Sequence, residues 1–565
     1  MKRRVLAIAV ACATLGVAVG AISVPTRSRA GIVASQNEIA SKVGADVIRD
    51  GGTAVDAMVA VGFALAVTHP TAGNIGGGGF LVYRPASGQP VAYDFRETAP
   101  AKASPTMWMP GGKYDPQVHH NSYLAVGVPG TVAGLHLAWK EQGKLPWRRL
   151  VEPAIALARD GFVVSDGLSR SLRNVQRQMA KYPASVAQFT KNGVPYEPGE
   201  ILKQPDLAKT LERIAASGPA GFYEGETAAL IEKEMLANGG IISREDLKNY
   251  KAVKRTPVKG TYRGYEIIAM PPPTSGGVTM IEALNILEGY DLKKMGANSA
   301  DAVHVMAESM KRAYADRAKY LGDPDFNPKM PVDMLLSKAH ADELRKTISL
   351  KHTAPASPEK FDWPHESDET THISIVDGNL NAASMTYTLE QGYGVKIVVP
   401  GAGFLLNNEM GDFNAGPGIT TAQGLIGTEP NLTAPGKRML SSMAPTILAK
   451  DGQLFMVTGS PGGRTIINTT LETIVGVLDF GLNAQEAVDA PRFHHQWLPD
   501  EINYERHGFS PDTLRALAQR GHALKEGGAQ GVAQVIIYNA EDKVLEGGTD
   551  RRVPDGAAIA VPARK

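Results

Sequence analysis

The sequence predicts an α+β protein in which a helix-rich part precedes a strand-rich part. Helical periodicity dominates the first 350 of the 565 residues, whereas alternating or clustered apolar residues separated by Gly and Asp turns dominate the last third. The length exceeds that of one small core, so it implies several domains or one large layered domain. With 43% hydrophobic and 21% charged residues, the composition is that of a globular protein with a sizeable core.

The first 30 residues have the pattern of an export signal. The basic start KRR precedes a long apolar run, and small residues surround Ala30. We expect residues 1–30 to be a signal peptide and the mature protein to be periplasmic or secreted. Cleavage after Ala21 and a retained membrane anchor are the alternatives. No later segment offers the ~20 apolar residues that a membrane span needs.

Removal of residues 1–30 would leave a chain without cysteine and with little net charge. The single cysteine, Cys12, lies in that segment, so disulfides, thiolate metal sites and a catalytic cysteine are excluded from the mature chain. The segment carries five of the 59 Lys and Arg residues and no acid, which leaves 54 basic against 58 acidic residues and a net charge of −4. This balance lacks the clustered basic excess of a protein that binds nucleic acid.

Two capping patterns open the helix-rich part. SQNE (35–38) has the form of a capping box before a helix that stops at Gly51. TAVD (53–56) begins a second, unusually apolar helix, which must be buried on most of its surface. Further helices are predicted at about 129–143, 149–159, 205–216, 226–238, 278–288 and 298–320.

Residues 351–369 separate the two parts, and strand-like runs follow them. The segment 351–369 loses periodicity and gains proline and charge, which predicts a flexible connection. We predict strands in THISIVDG, NAASMTYTL, GVKIVVP, GFLLNN, PTILAKDGQLFMVTG and QVIIYNAEDKVLEGG. In the helix-rich part, the four glycines at 76–79 are interpreted as a structural turn near a pocket, because no Lys-Ser/Thr pair follows to make a phosphate-binding loop.

The stretch DETTHISIVDG (368–378) begins a predicted β-hairpin. An alternating run ends at an Asp-Gly-Asn turn, after which a second strand-like run resumes. In this hairpin Thr370 lies opposite roughly residue 387, so Thr386 or Thr388 is within its reach. Taken alone, Thr370 is most simply a residue that favours strands.

Three later stretches carry groups that suit amide chemistry. The backbone N–H groups of Gly462 and Gly463 could form an oxyanion hole, because glycine lets the backbone approach a reacting carbonyl closely. The hydroxyls of Ser441 and Ser442 could donate to a carboxylate, and the acids of NNEMGDF (407–413) could hold an ammonium group. For each stretch taken alone, a glycine turn or a solvated acid is the favoured interpretation.

The order of these stretches resembles the gamma-glutamyltranspeptidase family. The resemblance covers nearly the whole mature chain and includes YDFRETAPAKA (93–103), PPPTSGG (271–277) and GNIGGGGF (73–80). It implies a four-layer αββα sandwich of the N-terminal-nucleophile hydrolase type, which is an α+β fold. No cofactor is implied.

The resemblance further implies that the precursor cuts itself between Glu369 and Thr370. The products would be a helix-rich large subunit (31–369) and a strand-rich small subunit (370–565) that stay together in one intertwined domain. Thr370 would then be the nucleophile. Its hydroxyl needs a base, and the cut creates one in the freed α-amino group, whose ordinary pKa is about 7.7–8. Thr388 would hydrogen-bond the Thr370 hydroxyl and orient it.

The same resemblance implies a site for a γ-glutamyl head group. Its residues would be Arg96, Ser441 and Ser442 for the α-carboxylate, and Asp412, Glu409 and Glu390 for the α-ammonium. A planar guanidinium suits a carboxylate because it can donate two parallel hydrogen bonds. Three acids would repel each other in an empty site, so at least one is expected to have a raised pKa.

The implied reaction is transfer or hydrolysis of γ-glutamyl groups. Glutathione or a related γ-glutamyl amide would acylate Thr370, and water or an amino-acid or dipeptide acceptor would release the γ-glutamyl group. Gln423 replaces a gating aromatic residue in a segment that resembles a lid loop, so we expect a looser lid that favours hydrolysis. No metal site is predicted, because the adjacent pairs His119-His120 and His494-His495 lack the four-residue spacing of ligands on one helix.

The sequence leaves two alternative functions open. One is an acylase of the same fold that cleaves cephalosporin-type or glutaryl amides; Arg96 and Asp412 argue against it, since an α-amino-acid head group explains both. The other is a secreted binding protein of the same fold that neither processes itself nor catalyses. The presence of Thr370, Thr388 and the glycine pair argues against that alternative.

Overall fold

The structure, a computed structural model, describes residues 23–356, 370–419 and 428–562. Most of the predicted export signal, the cleavage residue Glu369 and the lid residue Gln423 therefore lie outside the described residues.

In chain order, the described strands are β1 (Thr26–Ser28), β2 (Gly31–Ser35), β3 (Gly78–Arg84), β4 (Val91–Phe95), β5 (Phe162–Val163), β6 (Thr190–Lys191), β7 (Val194–Pro195), β8 (Ile201–Leu202), β9 (Val253–Arg255), β10 (Val258–Tyr262), β11 (Tyr265–Ala269), β12 (Thr371–Asp377), β13 (Ala382–Thr388), β14 (Thr446–Lys450), β15 (Gln453–Gly459), β16 (Phe493–His494), β17 (Ile502–Glu505), β18 (Leu524–Gly527), β19 (Gln534–Asn539), β20 (Val544–Thr549) and β21 (Ala557–Ala560).

The described helices are α1 (Glu38–Arg49), α2 (Ala54–Thr68), α3 (Pro116–Asn121), α4 (Thr131–Gln142), α5 (Trp147–Asp160), α6 (Asp166–Met179), α7 (Pro183–Phe189), α8 (Pro205–Ser217), α9 (Ala220–Tyr223), α10 (Gly225–Ala237), α11 (Arg244–Asn249), α12 (Gly276–Leu287), α13 (Leu292–Met295), α14 (Ala300–Tyr320), α15 (Val332–Leu335), α16 (Lys338–Lys346), α17 (Thr465–Leu478), α18 (Ala484–Asp489) and α19 (Pro511–Gln519).

Two large antiparallel sheets form the middle of the molecule. Sheet one has the strand order β1-β20-β19-β15-β14-β11-β10, and sheet two has the order β21-β2-β12-β13-β3-β4-β9. Both sheets combine strands from before and after residue 369, so each sheet needs both parts of the chain. Strand β12 lies at an inner position of sheet two, between β2 and β13.

The sheets stack face to face and are covered by helices on their outer faces. A buried apolar layer between them includes Phe80, Ile268, Val376, Val457 and Ile536. Helices α2 and α4 pack against sheet two, and α12, α17 and α18 pack against sheet one. This arrangement is a four-layer αββα sandwich, which confirms the predicted fold class.

The apolar helix α2 shows why the pattern predicted burial. All of its residues are buried, and it packs between α1, α5 and sheet two. The predicted start of this helix is confirmed, and it carries a capping box: the Thr53 hydroxyl accepts from Asp56 N–H at 3.2 Å, and the Asp56 carboxylate accepts from Thr53 N–H at 2.8 Å. The other predicted helices are found within a few residues of their expected ends.

Two local predictions are wrong. The cap of α1 is Asn37, whose Oδ1 accepts from Ala40 N–H at 3.2 Å, because Ser35 is the last residue of β2. The segments GVKIVVP and GFLLNN form no strand, and only a single bridge joins Val398 to Leu405. Left-handed backbone at Lys396 (φ 64°) and at the following glycines interrupts the extended conformation there.

The N-terminal strand β1 lies at the edge of sheet one. Thr26–Ser28 pairs with β20, and Arg27 forms an ion pair with Glu546 at 2.7 Å. Within the described ranges, none of the helices combines the length and the apolar character that crossing a lipid bilayer requires.

Candidate active site

Thr370 lies directly before strand β12, at an inner position of sheet two. The register of β12 and β13 pairs Thr371 with Tyr387, which places Thr370 beside Thr388. The two hydroxyl oxygens lie 3.4 Å apart, and both residues are buried. The predicted hairpin is thus confirmed, and it brings the two threonines within hydrogen-bonding distance.

Glu390 connects this threonine pair to the acids of the site. Its backbone N–H donates to the Thr388 hydroxyl at 3.0 Å, and its carboxylate accepts from Asn408 Nδ2. Glu390 has a left-handed backbone (φ 78°), a conformation that costs about 1–3 kcal/mol for a residue with a side chain. The turn after β13 therefore directs Glu390 toward the stretch that carries Glu409.

Arg96 is fully buried just after β4 and has an acid at each end of its guanidinium group. Its Nη1 donates to Glu409 and its Nη2 to Asp412, while Nε donates to the Met439 carbonyl at 3.2 Å. The two acids lie one turn apart on a 3₁₀ helix (Glu409–Asp412), so both carboxylates reach the same guanidinium. The fold thus joins Arg96 to Glu409 across 313 positions of sequence.

The acids around Arg96 outnumber the cation. Burial raises the pKa of Glu409 well above its ordinary value; Arg96 opposes this shift, and Glu97 and Asp412 add to it. Burial also raises the pKa of Glu97, which lies 3.9 Å from Arg96, to about 8. Burial by itself would lower the pKa of Arg96. The negative charges of Glu409 and Asp412 have the larger effect and raise the Arg96 pKa. The expected raised pKa among the acids is therefore found.

Ser441 and Ser442 lie on the segment that follows Met439, next to Arg96. The Ser441 carbonyl accepts from the N–H and the hydroxyl of Ser275 at 2.8 and 2.6 Å. Arg317 donates to the Ser275 hydroxyl at 2.6 Å and to the Ser442 hydroxyl at 2.9 Å. The PPPTSGG stretch and helix α14 therefore hold the serine pair in place.

Gly462 and Gly463 form the turn between β15 and α17. Both have positive φ (127° and 53°), which glycine adopts without steric cost. Neither of their N–H groups donates to another residue in the part of the chain that the structure describes. The turn also precedes the 14-residue helix α17, whose N-terminal end carries positive partial charge. These features suit stabilisation of an oxyanion.

A cavity of about 680 Å³ opens beside Thr370. Pro461 and Arg464, which flank the glycine pair, line the same cavity, as do His494 and Gln496. Arg96 and the acids around it are not among its described lining residues. Thr370 therefore lines an open, mainly polar cavity, and it is connected to the buried charged cluster through Thr388, Glu390 and Asn408.

The four glycines at 76–79 allow close approach of backbones behind the site. A Cβ on Gly77 would lie 2.0 Å from the Thr388 carbonyl oxygen, and one on Gly78 would lie 2.5 Å from Glu97 Oε2. These distances are too short for any larger residue. Gly76 and Gly77 lie in the bend that leads into β3, whereas Gly78 and Gly79 are the first residues of that strand, so the predicted turn covers only the first two glycines.

Two buried residues of the site were not predicted. Glu97 directly follows Arg96 in YDFRETAPAKA. Its position next to the proposed carboxylate-binding arginine could have indicated that Glu97 belongs to the site. Arg317 lies on a long helix with no motif of its own, and its contact with Ser442 spans 125 positions. Nothing in the local sequence could have indicated that contact.

The fold and the site together define the class of the protein. A threonine at the head of an inner strand of an αββα sandwich, with a second hydroxyl and a glycine turn nearby, is the arrangement of an N-terminal-nucleophile hydrolase.

Comparison with known proteins gives the family. The gamma-glutamyltranspeptidase family model matches residues 40–560. The glutathione hydrolase proenzyme of Escherichia coli is 49% identical over 538 residues, which cover 94% of this chain and 92% of that protein. The chain belongs to the gamma-glutamyltranspeptidase family.

Solved structures agree with this assignment. A cephalosporin acylase from Bacillus halodurans superposes with a TM-score of 0.84 at 28% identity, covering 98% of this chain and all of that one. The gamma-glutamyltranspeptidase of Helicobacter pylori is 46% identical with a TM-score of 0.55, covering 56% of this chain and 91% of that one.

Proposed function

We propose that this chain is a self-processing γ-glutamyltransferase and hydrolase that acts on glutathione and related γ-glutamyl amides. The observation that carries the proposal is that Thr370 lines the open cavity and is connected, through Thr388 and Glu390, to the stretch whose acids Glu409 and Asp412 pair with Arg96. The charged cluster offers charges for an amino-acid head group, and the cavity offers space for the rest of the substrate.

Processing is proposed to precede activity. The cut between Glu369 and Thr370 releases residues 370–565 as a small subunit and converts the Thr370 nitrogen from an amide into an amine. Only the amine can take the hydroxyl proton, so the cut supplies the base. Thr388, held 3.4 Å away, keeps the hydroxyl oriented toward the substrate.

The head group is proposed to enter by exchange of ion pairs. In the structure Arg96 is paired with Glu409 and Asp412. A zwitterionic α-amino acid brings a carboxylate for Arg96 and an ammonium for the acids, so both partners regain a counter-charge when it inserts. This matched exchange avoids the large penalty of leaving a buried charge unpaired.

Acylation follows from this placement. The Thr370 oxygen attacks the γ-carbonyl carbon, its proton passes to the α-amine, and the developing oxyanion receives hydrogen bonds from the N–H groups of Gly462 and Gly463. Collapse breaks the C–N bond, and the amine returns the proton to the leaving nitrogen. Water or the amino group of an amino acid or dipeptide, admitted through the cavity, then attacks the γ-glutamyl ester.

The alternative function is that of an acylase, favoured by the close superposition with the cephalosporin acylase. The two functions differ in the head group, because a glutaryl chain has no ammonium to pair with Asp412. Rates with a γ-glutamyl anilide and a glutaryl anilide on the same enzyme decide between them. We expect the γ-glutamyl anilide to be cleaved far faster; preference for the glutaryl compound would overturn the proposal.

Export is proposed to remove a signal peptide. The pairing of β1 with β20 supports cleavage after Ala21 rather than after Ala30, since the second cut would remove Thr26–Ser28 and the Arg27–Glu546 ion pair. N-terminal sequencing of the large subunit from the periplasm or medium tests this: a start at Ile22 is expected. A start at Gly31 would show that β1 is dispensable.

A further inference from the structure

Helices α12, α14 and α16 converge on a cluster of ligand-type side chains outside the active site. Glu282, Asp316 and His340 each offer one oxygen or nitrogen atom, and these atoms all lie within 4.8 Å of one another. His340 Nε2 lies 2.6 Å from Asp316 Oδ2 and 3.6 Å from Glu282 Oε1. The three residues come from separate helices, which is why no sequence motif indicated them.

Glu282 is the buried residue of the cluster, and one of its carboxylate oxygens has no hydrogen-bond donor among the described residues. Its side chain is 1% exposed, and its Oε1 accepts no hydrogen bond from any described residue. A buried carboxylate oxygen without a donor is costly, so either a proton or a cation completes this group.

We propose that Glu282, Asp316 and His340 form a structural site for a divalent cation, with Zn²⁺ as the best fit. Imidazole and carboxylate groups are ordinary zinc ligands, and bonds of about 2.0–2.2 Å in tetrahedral geometry place ligand atoms about 3.3–3.6 Å apart. The Glu282–His340 separation of 3.6 Å already matches this spacing. Asp316 Oδ2 lies 2.6 Å from His340 Nε2, so these two atoms would have to separate by about 0.7–1.0 Å, and water would supply the fourth ligand.

The exposure of the cluster is compatible with loading from solvent. The side chains of Asp316 and His340 are 18% and 20% exposed, whereas Glu282 forms the buried end. Asp316 and His340 therefore give the ion access from solvent, and Glu282 holds it at the buried end of the site.

The proposed cation site lies next to a residue that supports the proposed head-group site. Asp316 directly precedes Arg317, which donates to Ser275 and Ser442 beneath the proposed head-group site. An ion shared by three helices would fix α14 against α12 and α16, and so fix Arg317. The ion itself takes no part in the reaction, and the inference does not depend on the proposed function.

The test is zinc binding by the full chain after treatment with a chelator. Isothermal titration with Zn²⁺ is expected to show about one site per chain, and Co²⁺ in its place is expected to give the visible absorption of a tetrahedral site. Glu282→Gln is expected to weaken Zn²⁺ affinity by about 100-fold or more, given that loss of even an outer-shell partner costs about 10–100-fold.

A matched control lies at the end of the same helix. Glu288→Gln changes an acid that pairs with Lys338 at the surface, so Zn²⁺ affinity should stay unchanged in this variant. Two results would overturn the proposal. One is equal Zn²⁺ affinity in wild type and Glu282→Gln; the other is no Zn²⁺ or Co²⁺ binding by the wild type, which would mean that Glu282 is completed by a proton.

Discussion

At the scale of single residues, two neighbouring threonines of the site differ in their hydrogen-bond partners. The Thr370 hydroxyl lies beside Thr388, whereas the hydroxyl of Thr371 has no partner among the described residues although it is buried. Strand alternation places the two side chains on opposite faces of sheet two. Only the first of the pair is therefore placed to act as a nucleophile.

This contrast leads to a prediction for the two positions. Thr370→Ala should abolish both self-cleavage and amide hydrolysis, because the attacking oxygen is gone, while Thr370→Ser should keep both at reduced rates. Thr371→Val removes the unpartnered hydroxyl without changing the shape of the side chain, so processing should continue. Denaturing gels and an anilide assay measure both effects. Cleavage at normal rate in Thr370→Ala would contradict the assignment.

A second residue-scale prediction concerns Asp412. Asp412→Asn removes a charge for the substrate ammonium, so KM for a γ-glutamyl anilide should rise about 10–100-fold, the equivalent of about 1.5–3 kcal/mol for a charged hydrogen bond. Hydrolysis of a glutaryl anilide should change little, because that compound has no ammonium. Asp325→Asn, at an acid that pairs with Arg255 and is half exposed, is the matched control. Equal losses with both substrates would disprove the role.

At the scale of elements, the hairpin β12–β13 carries a buried histidine between the two sheets. The two ring nitrogens of His372 lie 2.8 Å from the Thr386 hydroxyl and 3.1 Å from the Ser374 hydroxyl. Burial lowers the pKa of His372 to about 3. The folded chain therefore favours the neutral ring, and the resulting stability is present above about pH 6.5 and is lost as pH falls toward 3.

The corresponding prediction is a change in acid sensitivity. His372→Gln should be less stable than the parent at pH 7, but the difference in unfolding free energy should shrink by about 2–3 kcal/mol at pH 4.5, at about 1.4 kcal/mol per pH unit. Denaturant melts in the Thr370→Ala background keep every sample a single chain. His352→Gln, at an exposed histidine, should leave the pH dependence unchanged. A constant difference between pH 7 and pH 4.5 would refute the account.

Elements were predictable where neighbours in sequence decide them. The start of α2 and the β12–β13 hairpin depend on residues only a few positions apart, and both predictions are confirmed. The cap of α1 was misplaced because Ser35 is instead part of β2, where it pairs with Ala557 of β21. The Arg96–Glu409 pair, the support of Ser442 by Arg317 and the Glu282 cluster all join distant segments, so packing alone creates them.

At the scale of the whole molecule, the two predicted subunits share both sheets and the apolar layer between them. Strand β12 pairs on one side with β2 from the first part of the chain and on the other with β13 from the second. The apolar layer between the sheets likewise takes Phe80 from one part and Val457 from the other. Cleavage before Thr370 would therefore leave a single particle.

We predict that the cut chains stay together under all native conditions. Wild type should give two bands on a denaturing gel but one peak on size exclusion, at the same position as the uncut Thr370→Ala chain of about 60 kDa. The peak should persist in 1 M salt, because ladder hydrogen bonds and buried apolar contacts are not screened as surface charges are. Separation of the two chains by salt alone would contradict this arrangement.

Because β12 lies at an inner position of sheet two, the proposed cut would also make refolding of the unfolded protein much harder. Before it, the chain can refold as one molecule, with β12 tethered to the strands that flank it. After it, refolding becomes an encounter of two chains, whose rate depends on their concentration and which competes with aggregation of exposed strand edges. The lifetime of the mature enzyme would then depend on a slow rate of unfolding, because an unfolded molecule would not readily refold.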